Sequence, residues 1–130
     1  MNVVKHAYTV GWIAVSGFFA VVMGAFGAHG ISAPVAKAWI TLGSQQHMAH
    51  TLALLACVWL QTQGLKEARL SMLFFAIGIF FFSGALYALA LGVPRAIAMA
   101  APLGGLCLLL GWLNLARAAF RVKDVNDEPH

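Results

Sequence analysis

Apolar residues run in four long stretches along this chain, and most polar residues lie at the ends of those stretches. The stretches cover about residues 8–28, 45–63, 70–91 and 97–119. Each is close to the roughly 20 residues that a helix needs to cross about 30 Å of hydrocarbon. None shows the alternation of a half-buried strand, and lipid does not tolerate an unpaired backbone. The pattern predicts an all-α, polytopic membrane protein with four transmembrane helices in a compact bundle.

The segment between the first two stretches predicts a short interfacial helix at about residues 33–42. Ser32 can cap such a helix, and Pro34 suits its first turn. Apolar side chains then recur at helical spacing, at Val35, Trp39 and Leu42. Two placements stay open, because the helix can lie on the outer membrane surface or pack over the end of the bundle.

Composition supports the bilayer as the solvent of this protein. The 130 residues are 62% hydrophobic and 9% charged, whereas about a quarter of the residues in soluble domains are charged. We therefore treat residues 1–130 as one membrane domain, with a polar tail at 120–130. The net charge of +4 does not indicate nucleic acid, because the basic residues lie singly at segment ends.

The basic residues also predict an orientation in the membrane. Six of the eight fall on the side that holds both termini: Lys5, Lys66, Arg69, Arg117, Arg121 and Lys123. The other side holds only Lys37 and Arg95. The excess of Lys and Arg predicts that both termini are cytoplasmic, in what we expect to be a bacterial inner (plasma) membrane.

Small residues form stripes that predict close helix packing. They include Gly24, Gly27, Gly84, Gly104 and Gly105. Lipid exerts no hydrophobic force between helices, so association depends on the close approach that small residues permit. Packing within one bundle is the favoured explanation, and contact with a second copy is the alternative.

The second stretch opens with polar residues that hydrocarbon would reject. Gln46, His47 and His50 fall on one face of a helix with 3.6 residues per turn. Such a face must turn toward other protein, a cofactor or a water-filled cavity. The sequence therefore predicts that this stripe faces the interior of the bundle.

A polar pocket is expected near the outer leaflet. We predict that His29, His50 and Tyr87 share it, with Ser83 one turn deeper and His47 at the rim nearer water. Internal hydrogen bonds are one use for the pocket, and a small polar or lipid headgroup ligand is another. His29, His47 and His50 are weak candidates for a metal or haem site, because no membrane carboxylate or cysteine pair completes it.

Several short motifs together resemble a family of small integral membrane proteins, domain of unknown function 423, whose animal relatives are called transmembrane protein 256. The first is Gly24-Ala25-Phe26-Gly27-Ala28-His29-Gly30. Gly43, His50 and Leu52-Ala53-Leu54 resemble the start of the family's second helix. Phe82-Ser83-Gly84-Ala85-Leu86-Tyr87 resembles its third helix, except that Ala85 stands in place of a serine. The fourth helix is similar at Pro102, Gly104, Gly105, Gly111 and Trp112.

The family pattern carries Tyr and Gln where this chain has Gln46 and His47, so His47 departs from it. The resemblance implies a four-helix membrane protein without an assigned activity. We expect a non-enzymatic membrane component, such as a scaffold, a lipid-binding protein or an accessory subunit of a larger complex, with no cofactor. The alternative is a protein that binds haem, quinone or a metal through His29 and His50.

The first testable prediction concerns topology. Lys37→Cys and Lys66→Cys are made separately in a background that lacks Cys57 and Cys107. An impermeant thiol reagent applied to intact cells should label position 37 and leave position 66 unlabelled, and permeabilised cells should allow labelling of both. Labelling of position 66 but not 37 in intact cells would reverse the assigned orientation.

Overall fold

The computed structural model describes residues 3–126, and no strand occurs within them. Four long helices follow one another: α1 (Ala7–His29), α2 (Pro34–Thr62), α3 (Ala68–Ala90) and α4 (Ala100–Asn126). Short 3-10 turns at Val3–His6 and Arg95–Met99 precede α1 and α4. The tail expected from residue 120 is helical as far as Asn126, and residues 127–130 lie outside the described part.

The interfacial helix predicted at about 33–42 is not a separate element, because residues 34–42 form the first part of α2. The helix runs unbroken from Pro34 through Gly43, where the sequence suggested an interruption. Gly43 provides space: a Cβ built there would lie 2.8 Å from Cε1 of Tyr87. With 29 residues, α2 is about 43 Å long and exceeds the thickness of the hydrocarbon core.

Three helical segments are long and apolar enough to cross a membrane: Val4–His29, Ala68–Ala90 and Arg95–Lys123. The helix α2 is not among them, although its length is sufficient. The polar residues in its first half lower its mean hydropathy. Four membrane spans are therefore not confirmed by length and composition.

The helices pack mainly with their neighbours in sequence, α1 on α2, α2 on α3 and α3 on α4. Contacts between α1 and α3, and between α2 and α4, are sparse. The arrangement is more open than the compact bundle that the sequence predicted. A buried apolar core lies around Leu54, Cys57 and Val58 of α2 and Phe75 of α3.

Close approach of helices accounts for several of the predicted packing glycines. A Cβ built at Gly27 would lie 2.5 Å from Cγ2 of Ile40, and one built at Gly24 would lie 2.8 Å from the Ser44 hydroxyl oxygen. Gly104 meets the backbone of Phe82, and Gly105 lies in looser contact with the same residue's ring.

Packing within the bundle is wrong for Gly84, because this residue is exposed and a Cβ built there has no neighbour within 4 Å. Gly84 follows a widened π-helical turn at Ile79–Ser83 inside α3. This turn contains Phe82, against whose backbone Gly104 packs. A close approach of α3 and α4 therefore lies within the irregular turn, two residues before Gly84.

A second prediction tests the α1–α2 contact. Gly27→Leu should destabilise the protein by about 1–3 kcal/mol, because the new side chain collides with Ile40. Gly11→Leu is the matched control in the same helix, since a Cβ at Gly11 has no neighbour within 4 Å. Thermal unfolding in detergent measures both variants. Equal melting temperatures for the two would contradict the packing of Gly27.

Candidate functional site

The polar stripe of α2 does not gather in one pocket, because its two histidines turn toward different helices. The His47 imidazole lies 2.9 Å from the Ser16 hydroxyl through Nε2 and 3.0 Å from the Tyr87 hydroxyl through Nδ1. The Ser16 hydroxyl is also 3.0 Å from that of Thr51. We call Ser16, His47, Thr51 and Tyr87 the His47 cluster. It links α1, α2 and α3 by hydrogen bonds whose hydroxyl groups can each donate or accept.

His50 is committed to a separate pair of hydrogen bonds. Its Nδ1 lies 2.8 Å from the carbonyl oxygen of Gln46, which can only accept, so Nδ1 carries the proton. The Trp112 indole N–H donates to Nε2 at 3.0 Å. The ring also packs on Phe75, with centroids 5.5 Å apart. Both nitrogens are occupied, so His50 in this conformation has no lone pair free for a metal or haem iron.

The shared pocket predicted for His29, His50 and Tyr87 is therefore wrong. His29 is exposed at the end of α1, and His50 faces Trp112 on α4. His47, predicted at the rim, is buried with 8% of its surface exposed and is the histidine that bonds Tyr87. A three-residue step turns a helix by about 300°, which leaves the two side chains about 60° apart and able to reach different neighbours.

Two other predicted residues lie close to these interactions. The Ser83 hydroxyl donates to the Gly43 carbonyl at 2.8 Å, which ties α3 to α2. Gln46 is partly buried and lines a groove beside His50.

Sequence reasoning missed a second buried polar contact at the other end of the molecule. The side-chain amide of Asn114 donates to the Ser71 hydroxyl at 2.9 Å and to the Glu67 carbonyl at 3.1 Å. Arg117 donates to the Asn114 side-chain oxygen at 2.8 Å. An asparagine within an apolar stretch was the available signal, since such a residue needs a partner in lipid. Ser16 and Thr51 were also missed, and Trp112 was named only for its resemblance to the family's fourth helix.

The described residues that could bind a metal do not cluster into a metal site. Among residues 3–126, no group of three His, Cys, Asp or Glu side chains is close enough to hold an ion. The three histidines named as weak ligand candidates are separated, as described above.

A lateral groove runs between α1 and α3, where these helices make few contacts. It consists of two adjoining cavities of about 860 and 450 Å³ that share Trp12, Ser16 and Ile79. Leu54 of α2 lines the larger cavity, and His47 and Tyr87 line the smaller one. The far end of the larger cavity carries charged residues: Lys66, Glu67 and Arg69.

A second groove, of about 730 Å³, lies between α2 and α4 on another side of the molecule. Gln46 and His50 line it with Trp112, and no charged residue contributes to its wall. The two grooves therefore differ in their electrostatic character, although both are bordered mainly by apolar side chains.

Comparison with known proteins identifies the relatives of this chain. The model of the family described as "Protein of unknown function (DUF423)" matches residues 23–105. The chain belongs to this family. The match confirms the resemblance seen in the sequence motifs.

Curated relatives match over most of their length. A UPF0382 membrane protein of Haemophilus influenzae is 44% identical over 87% of this chain and 94% of its own. The UPF0382 inner membrane protein YgdD of Escherichia coli K12 is 40% identical over 85% of this chain and 87% of its own. The UPF0382 membrane protein YwdK of Bacillus subtilis is 30% identical, over 83% and 92%.

No solved structure matches this chain. The relatives are named as membrane proteins, and three helical segments of this chain are long and apolar enough to cross a membrane. The protein is an integral membrane protein.

A third prediction tests the bond between His50 and Trp112. Trp112→Phe should cost about 1–3 kcal/mol of stability, because the buried Nε2 of His50 loses its donor. Trp59→Phe is the matched control, since the Trp59 side chain is 57% exposed on α2. Thermal unfolding in the same detergent compares the two. A loss no greater than that of Trp59→Phe would show that the bond contributes nothing measurable.

Proposed function

We propose that this protein is a non-enzymatic component of the bacterial inner membrane that holds a lipid molecule in the lateral groove between α1 and α3. The groove itself supports this function most directly. Its larger cavity, about 860 Å³, falls within the size range of ligand sites, and most of its wall is apolar. Because the groove opens sideways between two helices, a lipid can enter from the bilayer without passing through water.

The proposal includes a fourth membrane span formed by α2. This helix lies between α1 and α3, each of which is apolar enough to cross the membrane. The side chains of His47 and His50 are bonded to those neighbours and to α4, so these two polar groups would not meet lipid. A polar helix can span a bilayer when its polar groups are satisfied inside the protein.

The orientation in the proposal places both termini in the cytoplasm. The chain reverses between consecutive helices, so four spans return the C-terminus to the side of the N-terminus. Lys66 and Arg69, at the turn between α2 and α3, lie on that same side, in agreement with the excess of basic residues there.

The geometry argues against the haem, quinone or metal alternative through His29 and His50. These residues lie on different surfaces, and both ring nitrogens of His50 are already bonded. A hydrolytic role for the Ser16–His47 contact is also unsupported, since the other ring nitrogen of His47 faces a phenol rather than a carboxylate. The His47 cluster acts as a connection between helices in this proposal.

A fourth prediction tests the lipid site with the full chain, purified gently in a neutral detergent. Native mass spectrometry should show a retained phospholipid in the wild-type protein. Ala76→Trp should remove it, because Ala76 lines the larger cavity and an indole would fill the space. Ala56→Trp is the matched control, since Ala56 is exposed on α2 and lines neither groove.

Retention of the same lipid by Ala76→Trp and Ala56→Trp would refute the proposal. Loss of a dimer in Ala76→Trp, with no lipid in either form, would instead assign the groove to a second copy of the chain. A scaffold or accessory role in a larger complex would then be the better explanation.

A further inference from the structure

We infer that the lipid in the lateral groove is an anionic phospholipid of the cytoplasmic leaflet, with its phosphate held by Lys66 and Arg69. This inference rests on the proposed function. It adds the chemical class of the headgroup, the residues that select it and the leaflet from which it comes.

Charge at the mouth of the groove is the first argument. Lys66 and Arg69 contribute two positive charges and Glu67 one negative charge, which leaves +1 at this end. A phosphodiester with an uncharged alcohol headgroup carries one negative charge and balances the site. A headgroup that also carries an ammonium is neutral overall, leaves the +1 uncompensated and brings its cation near two others.

The shape of the donors supports the same headgroup. The guanidinium of arginine presents a planar fork of N–H donors that matches a phosphate, and lysine adds a compact positive charge. Thr9 of α1 lines the same cavity, and its hydroxyl can supply a further donor. These groups lie near the ends of helices, which the proposed four-span topology places at the level of the phosphates, so the lipid need not bury its charge.

Distances along α3 fit one lipid chain. Arg69 lies near the beginning of this helix, and Ile79, at the junction of the two cavities, lies ten residues further on. Ten residues rise about 15 Å, which is half of the roughly 30 Å hydrocarbon core. A chain whose phosphate is at Arg69 therefore fills the larger cavity within one leaflet and reaches the smaller cavity near the bilayer centre.

The groove between α2 and α4 provides an internal comparison. It is of similar size, at about 730 Å³, but its wall contains no charged residue. Chain burial alone would make the two grooves equivalent, whereas headgroup selection is available only between α1 and α3. The inference thus predicts one anionic lipid site, at the charged groove.

The experiment titrates the delipidated full chain, in neutral detergent, with phosphatidylglycerol or with phosphatidylethanolamine of identical acyl chains. Native mass spectrometry measures the population with one bound lipid. The wild type should prefer phosphatidylglycerol. Lys66→Gln and Arg69→Gln should each weaken its binding about fivefold, since one basic residue near a lipid phosphate is worth about 1 kcal/mol. Glu67→Gln should strengthen it, because a like charge is removed.

Arg121→Gln with Lys123→Gln is the matched control. It removes two positive charges from the exposed end of α4, away from both cavities of the lateral groove. Binding of phosphatidylglycerol should change less than twofold in this variant. An equal loss in the control and in Lys66→Gln with Arg69→Gln would mean that general surface charge attracts the lipid, and would overturn the specific site.

Three further outcomes distinguish a failure of this inference from a failure of the function on which it rests. Equal binding of both lipids, insensitive to Lys66 and Arg69 but abolished by Ala76→Trp, would retain the lipid groove and refute the anionic headgroup. Binding that survives Ala76→Trp would refute the groove and the headgroup assignment together. A dimer that phosphatidylglycerol does not displace would show a second copy as the occupant and overturn both.

Discussion

The fold depends on one constraint, that the buried polar groups of α2 must find hydrogen bonds inside the protein because its apolar interior holds few other partners. His47 bonds to Ser16 on α1 and Tyr87 on α3, and His50 bonds to Trp112 on α4. Each of the other helices therefore supplies at least one partner to α2. The one long helix without a stretch apolar enough to cross a membrane is thus the helix that bonds to all three others.

This constraint explains why the helices leave grooves. Partners on three sides of α2 hold its neighbours apart, so α1 and α3 meet α2 without closing on each other. Gly27 lets α1 approach α2 closely. Nearer the start of α1, the large apolar side chain of Trp12 lines the groove toward α3. The groove thus results because the hydrogen bonds of α2 set the positions of the helices, and these positions leave apolar surfaces of α1 and α3 unpacked.

The sequence was sufficient to predict helices, membrane insertion and a protein-facing polar stripe, because each follows from composition and periodicity. It could not assign partners, since a 60° difference in direction sends His47 and His50 to different helices. Gly43 illustrates the same difficulty. A glycine before a polar run reads as a helix boundary, whereas here it makes room for the Tyr87 ring inside one continuous helix. The hydrogen-bond partner of each side chain depends on how its helix is rotated about its own axis. The residues around one position do not determine that rotation, because it is set by contacts with the other helices.

Several residues that carry the family resemblance contact one another. Ser83 bonds the Gly43 carbonyl, Trp112 bonds His50, and Gly104 packs on the backbone of Phe82. Their roles are accounted for by helix packing and by the satisfaction of buried polar atoms. A signature made of such contacts identifies a fold, and a fold alone does not determine an activity. The function must therefore be sought on the surfaces that these contacts leave open, of which the groove with charges at one end offers the more selective chemistry.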